Sequence, residues 1–235
     1  LDDVTDAVRG HVSSVLLPAL VAMAESRDLS GAALVDAYVL GFEVACRLGQ
    51  LVFNSHYAKG WHSTSAIGAV AGAAAGARLI GLGEVAADHA ISLAVAQAGG
   101  TRANFGTMGK PFQAGHAART AVQSVRLASR GFTGGADALT GPYGFTRLYA
   151  AGEADPALFA LPAAGDTLAV DTVGVNVKKY PMCYAAHRAV DAMLALRQEH
   201  ALRPEQVAAI DVESSAAGHG PLVHHKPQTP NEAMF

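Results

Sequence analysis

Three short stretches carry the residues that can do chemistry. They are Gly60-Trp61-His62-Ser63-Thr64-Ser65, Gly106-Thr107-Met108-Gly109-Lys110-Pro111 and Lys178-Lys179-Tyr180-Pro181-Met182-Cys183-Tyr184-Ala185-Ala186-His187. Each sets a His or a Lys in a Gly- or Pro-bounded loop ahead of a helix with little charge of its own. Helix N-termini favour anions, through their unpaired N–H groups and the helix dipole. Two imidazoles and an ammonium around one cavity suit a polycarboxylate and proton transfer beside a carboxylate. Imidazole titrates near neutrality, so one ring can accept a proton while another donates. The scheme requires the three stretches to converge.

Each residue also has a plainer reading. A loop His such as His62 is ordinarily solvated or capping; its place at the mouth of a Gly-striped helix makes it a candidate. Lys110 lies among small and Gly positions that allow close approach of a ligand. By its local setting His187 reads as a core His satisfied by a backbone carbonyl. His11 follows Asp2, Asp3 and Asp6, which reads as a solvated lead-in or as acid and His edging a pocket. His116 and Arg119 share a helix face, where Arg119 can clamp a carboxylate bidentately, although a surface Arg is the default. His219, His224 and His225 do not read as a metal site, because Gly220-Pro221 builds no element to aim them. Gly109-Lys110-Pro111 is no Walker loop, and G-x-S-x-G, H-E-x-x-H, G-x-G-x-x-G and C-x-x-C are absent from the sequence. Acid–base chemistry without metal or cofactor is expected.

The elements that must position these residues are mostly helical. Apolar spacing predicts helices over 12–25, with Pro18 kinking the first or sitting in its first turn, and over 31–51, capped by Ser30. Asn54 to Trp61 reads as a loop, and Ser63 or Ser65 opens a helix to Leu79 whose Gly68, Gly72 and Gly76 let another backbone approach closely. Helices are predicted over 84–98 and 113–129, separated by a Gly-rich loop from Gly99 to Pro111, with a short helix within 137–148. Asp155 to Asp166 reads as a linker. The first strand is expected over 172–178, a helix over 185–200 and a second strand over 207–213. The domains are placed at 1–160 and 161–235. The fold class is mainly α, an all-helical main domain followed by the start of a smaller α+β lid.

The chain has 235 residues, 51% hydrophobic and 16% charged, with a net charge of -3. The mean hydropathy of +0.23 points to tight Ala and Gly packing and to a face buried against a second chain. No basic footprint marks a nucleic-acid partner, and no apolar run is long enough to span a bilayer. Cys46 and Cys183 make no disulfide framework, so the cytoplasm is expected; Cys183 reads as a buried structural thiol. A start at Leu1 without Met and a stop at Phe235 read as cuts through a longer protein.

In order along the chain, these stretches resemble the MmgE/PrpD family. The resemblance rests on Leu1-Asp2-Asp3 with His11, Gly60-Trp61-His62-Ser63-Thr64, Met108-Gly109-Lys110-Pro111-Phe112 with Ala114-Gly115-His116-Ala117-Ala118, and Gly131-Phe132-Thr133-Gly134. It continues through Lys179-Tyr180-Pro181-Met182-Cys183 with His187 and through Pro227-Gln228-Thr229 with Glu232-Ala233. The family includes 2-methylcitrate dehydratase, cis-aconitate decarboxylase and iminodisuccinate epimerase. The resemblance implies an all-helical main domain, a smaller α+β lid, a homodimer, a site between the domains without metal or cofactor, and missing segments at both ends. It implies catalytic roles for His62, Lys110, His11 and His187, and it adds Asp2 and Asp3 to the site. Arg119 and Tyr180 join them as expected substrate contacts. The expected activity is that of a lyase on a small di- or tricarboxylate, 2-methylcitrate dehydratase-like, with epimerase, decarboxylase or a non-catalytic binding role as alternatives. His62 is assigned as base or acid, with His11 or His187 its counterpart. The chain departs from the family pattern at Gln113, where many members have His, at His116, where many have a small or basic residue, and at Val4, where several have Thr.

Overall fold

The computed structural model describes residues 2–150, 160, 162–163, 165–214, 221–230 and 232–234. Among them the chain is mainly α. The order is β1 (Asp3–Val4), α1 (Ser13–Glu25), α2 (Gly31–His56), α3 (Ser63–Leu79), α4 (Glu84–Val95), α5 (Gly109–Ala128), α6 (Phe145–Tyr149), α7 (Ala169–Thr172), β2 (Asn176–Val177) and α8 (Tyr184–Glu199). Short 3-10 turns occupy Arg102–Asn104, Pro204–Gln206 and Glu232–Met234. Two compact units result, one of Leu1–Ala103 with Pro111–Val177, the other of Asn104–Lys110 with Lys178–Phe235.

The first unit is built around α3. From Ser63 to Ala77 every α3 side chain is buried, as an Ala- and Gly-rich segment with its only charge at Arg78 permits. The Gly stripe faces two neighbours. A Cβ at Gly68 would stand 2.9 Å from Val15 of α1, one at Gly72 2.8 Å from Ala121 of α5, and one at Gly76 2.5 Å from Met23 and 3.0 Å from Val125. The order of these contacts makes α1, α3 and α5 run parallel. α2 runs the other way, since Gly41 meets Leu16 and Ala75 while Gly49 meets Ala7 and Val8. Ser30 caps α2 as expected, its Oγ accepting from Ala33 N–H at 3.2 Å. Buried Glu43 of α2 accepts from Arg47 at 2.8 Å and from the Ala169 N–H at 2.6 Å, fastening α7 to α2.

Several expected boundaries move. α2 continues past Leu51 to His56 because Ala45, Leu48, Val52 and His56 prolong its buried stripe. Pro18 lies well inside α1, on its exposed side, beyond the first turn. α5 opens at Gly109 rather than Gln113, and Pro111 is tolerated there because first-turn N–H groups have no intrahelical acceptor. The expected helix within 137–148 is turns up to Gly144, then α6. β1 precedes the expected first strand, pairing Asp3 with Val177 and Val4 with Asn176 antiparallel; two residues are too few for alternation to register. The strand expected over 172–178 shrinks to Asn176–Val177. The strand expected over 207–213 is not formed: Ile210 and Val212 are exposed, and no partner strand stands beside them among the described residues. Most of the expected linker, with the boundary near 160, lies outside the described residues.

In the second unit α8 buries only His187. The segment before α8 is fastened by Cys183 N–H donating to Met234 O at 2.8 Å, and the Gly106 carbonyl lies 3.1 Å from His224 Nε2.

Candidate active site

Parallel packing of α1, α3 and α5 gathers their N-terminal turns at one end of the first unit. There the Ser65 hydroxyl donates to the Gln113 carbonyl at 3.1 Å and the His11 N–H to Thr64 Oγ1 at 3.0 Å. The N–H groups of helix first turns make such an end hospitable to carboxylates.

The structure brings Asp2, Asp3 and His11 together. His11 Nδ1 lies 3.2 Å from Asp2 Oδ1 and 2.5 Å from the Asp3 carbonyl. Two acceptors face Nδ1, a geometry that suits an N–H donor at that nitrogen. Asp3 is buried. Its Oδ2 accepts from the Ser13 hydroxyl at 2.8 Å and the Ser13 N–H at 3.3 Å, which places a carboxylate on the first turn of α1. The same hydroxyl lies 2.8 Å from Tyr38 Oη, and burial raises the Tyr38 phenol, against the Ser13 hydrogen bond that lowers it. Among the described residues Asp3 Oδ1 has no hydrogen bond.

His62 is not in an open loop. It is the N-cap residue of α3, its side chain 3% exposed. Its carbonyl accepts from the N–H groups of Ser65 and Ala66, and its N–H donates to the Gly100 carbonyl at 3.0 Å. The ring makes no capping bond to its own helix. Sequence reasoning missed His56. It is buried under Trp61 and Tyr149, its Nδ1 lies 3.3 Å from Ser63 Oγ, and burial lowers it to about 4, so it is neutral at pH 7. Its position on the continued buried stripe of α2 was the available signal.

Lys110, Tyr180 and His187 belong to the second unit. Lys110 stands in the first turn of α5 with Nζ 4.5 Å from the centre of the Phe105 ring. The Tyr180 hydroxyl donates to Asp191 at 2.6 Å beside Lys179 at 2.7 Å; these two hydrogen bonds lower the Asp191 carboxyl, and the Asp191 bond raises Lys179. His187 is buried as expected, but against rings rather than a carbonyl: Tyr180 and Tyr184 each lie 5.1 Å away, and Nε2 has no hydrogen bond among the described residues. Arg119 and His116 are exposed on α5. Arg119 lines a 460 Å³ groove with Pro18, Ala22, Arg126 and Arg130, along the helices rather than at their N-terminal end. Cys46 and Cys183 are free and buried, and burial pushes Cys46 up to about 12, an inert thiol. No three metal-ligating side chains cluster among the described residues; His219 lies outside them. No described helix is long and apolar enough to cross a membrane.

Comparison with known proteins agrees with the order of these motifs. The family model of the MmgE/PrpD N-terminal domain matches residues 1–157, and that of the MmgE/PrpD C-terminal domain matches residues 180–235. The chain is similar to the cis-aconitate decarboxylase of Homo sapiens, 32% identical over 203 residues that make up 83% of this chain and 42% of that protein. It is similar to the cis-aconitate decarboxylase of Aspergillus terreus, 30% identical over 210 residues, 85% of this chain and 43% of that protein. A cis-aconitate decarboxylase-like protein oryM of Aspergillus oryzae is 30% identical over 212 residues, 85% of this chain and 44% of that protein. The chain thus spans less than half the length of these relatives.

Proposed function

Because the chain belongs to the MmgE/PrpD family, we propose that it forms part of a lyase acting on a small di- or tricarboxylate by acid–base chemistry. The relatives named as cis-aconitate decarboxylases favour release of carbon dioxide over the loss of water that the sequence motifs alone led us to expect. The observation that carries the reading is the His11–Asp2–Asp3 cluster at the same helix-terminal end as the buried His62.

In such a decarboxylation the bond between carbon and the departing carboxylate breaks. Its electron pair becomes a new carbon–carbon double bond, and the displaced π pair takes a proton on the neighbouring carbon. One group must deliver that proton, and fixed positive charge must hold the remaining carboxylates while charge redistributes. We assign the proton transfer to His62, with His11 or His187 as its counterpart. Asp2 and the Asp3 carbonyl orient the His11 ring. Lys110 and Tyr180 are the assigned carboxylate contacts.

The test is a substrate screen of the full-length protein by proton NMR in D2O with citrate, 2-methylcitrate, cis-aconitate and iminodisuccinate. Consumption of cis-aconitate with release of carbon dioxide and deuterium at one carbon is expected. Net loss of water from a hydroxy acid would replace the decarboxylase with a hydro-lyase, and deuterium exchange without net turnover would replace it with an epimerase. His62→Ala is expected to lower kcat by about 100-fold or more, and Lys110→Ala to raise KM and lower kcat together. Inertness toward all four acids, or full turnover by His62→Ala, would overturn the reading.

A further inference from the structure

We propose that Gln113 is the positioning residue for His62, acting through the backbone of Thr101. This rests on the assignment of His62 to the reacting centre. Gln113 is buried in the first turns of α5 and presents its carboxamide edge to a single residue. Oε1 accepts from the Thr101 N–H at 2.6 Å, and Nε2 donates to the Thr101 carbonyl at 3.2 Å. The side chain thus pairs with Thr101 much as a neighbouring strand would.

What Gln113 holds is the segment that holds His62. The His62 N–H donates to the Gly100 carbonyl at 3.0 Å, Trp61 bridges Thr101, and the Arg102 N–H donates to the Gly60 carbonyl at 2.8 Å. The circuit closes on the other side. The Gln113 carbonyl accepts from the Ser65 hydroxyl, and the Ser65 N–H donates to the His62 carbonyl at 3.0 Å. His62 therefore sits in a ring of hydrogen bonds running through Gly100, Thr101, Gln113 and Ser65, in which the Gln113 side chain both donates and accepts. Gly100 completes the fit. Its φ of +107° favours glycine, and a Cβ there would run into Gln113 Oε1 and Ser65.

A carboxamide suits this task for a geometric reason. Its donor and acceptor lie side by side on one edge, matching the N–H and C=O of one extended residue. An imidazole carries its two nitrogens apart and in diverging directions, so a His at this position could engage one of the two backbone groups only. The departure at residue 113 is thereby a change in how the His62 segment is fixed.

The test compares wild type, Gln113→Leu and Gln113→Glu in the full-length protein, by backbone amide hydrogen exchange and by steady-state kinetics across pH. Gln113→Leu is expected to speed exchange at His62, Thr101 and Arg102 by about tenfold or more while α4 is unchanged, and to lower kcat by about 10–100-fold with little change in KM. Gln113→Glu keeps the acceptor and loses the donor when ionised. Its kcat defect is therefore expected to shrink as pH falls and the protonated acid again donates to the Thr101 carbonyl. Unchanged exchange at those amides, or faster exchange with wild-type kcat in both variants, would overturn the proposal. If wild type turns over none of the acids screened, the proposed function falls, while the exchange data still judge the clamp.

Discussion

His56 shows at the residue scale how burial alone sets the chemistry of a side chain. It has 1% of its surface exposed, with its ring against Trp61 and Tyr149. Burial disfavours the charged ring and lowers it from 6.5 to about 4. Between those two values the unfolded chain binds a proton that the folded chain does not, so stability rises with pH through this window. The contribution is full above about pH 6.5 and is lost as pH falls toward about 4, roughly 3 kcal/mol in all. The thermal midpoint of the full-length protein should fall accordingly on acidification, and His56→Gln should remove this part of the slope. An equal slope in the variant would assign the acid sensitivity to other groups. His62, six residues on, caps a helix instead of continuing one, and its backbone rather than its ring serves α3.

At the scale of elements, the decisive feature is the glycine stripe of α3. Gly68, Gly72 and Gly76 cost helix propensity of about 1 kcal/mol each, which the close seating of α1 and α5 offsets. That seating aligns the three parallel helices so that the Asp2–Asp3–His11 cluster, His62 and Gln113 share one end. Gly72→Val would set its Cβ 2.8 Å from Ala121 before its methyl groups are counted. We expect a loss of about 1–3 kcal/mol from overpacking, measured by chemical unfolding. Turnover should fall as well, because α5 carries Gln113. A neutral Gly72→Val would show that α3 and α5 separate without cost.

At the scale of the whole molecule, the sequence is 51% hydrophobic and only 16% charged. Val35, Val85, Leu148 and Phe112 are exposed in this chain. We expect a homodimer that buries Ala- and Gly-rich helix faces. Sedimentation of the full-length protein at micromolar concentration should give twice the monomer mass; a monomer would refute the expectation.

Helical periodicity and caps made α1 to α5 and α8 legible in the sequence, because 3.6-residue spacing and Ser30 are local signals. His62, Lys110 and His187 were legible as candidates, because chemistry-bearing side chains stand out in an Ala- and Gly-rich background. The Gly stripe also announced close helix packing, though not which helices would fill it. Tertiary structure decided the rest. α2 runs on to His56 since burial of its continued stripe outweighs the polar residues there. The segment 207–213 alternates as a strand does, yet a strand needs a partner, and none stands beside it among the described residues. Arg119 lies along α5, while Asp2 and Asp3 meet His11 through a turn that composition does not encode. Gln113 could be seen only as a departure, because its role consists of two hydrogen bonds to a backbone twelve residues away. Local sequence sets which backbone conformations are favourable; which side chains meet depends on how the helices pack, and that is a property of the whole chain.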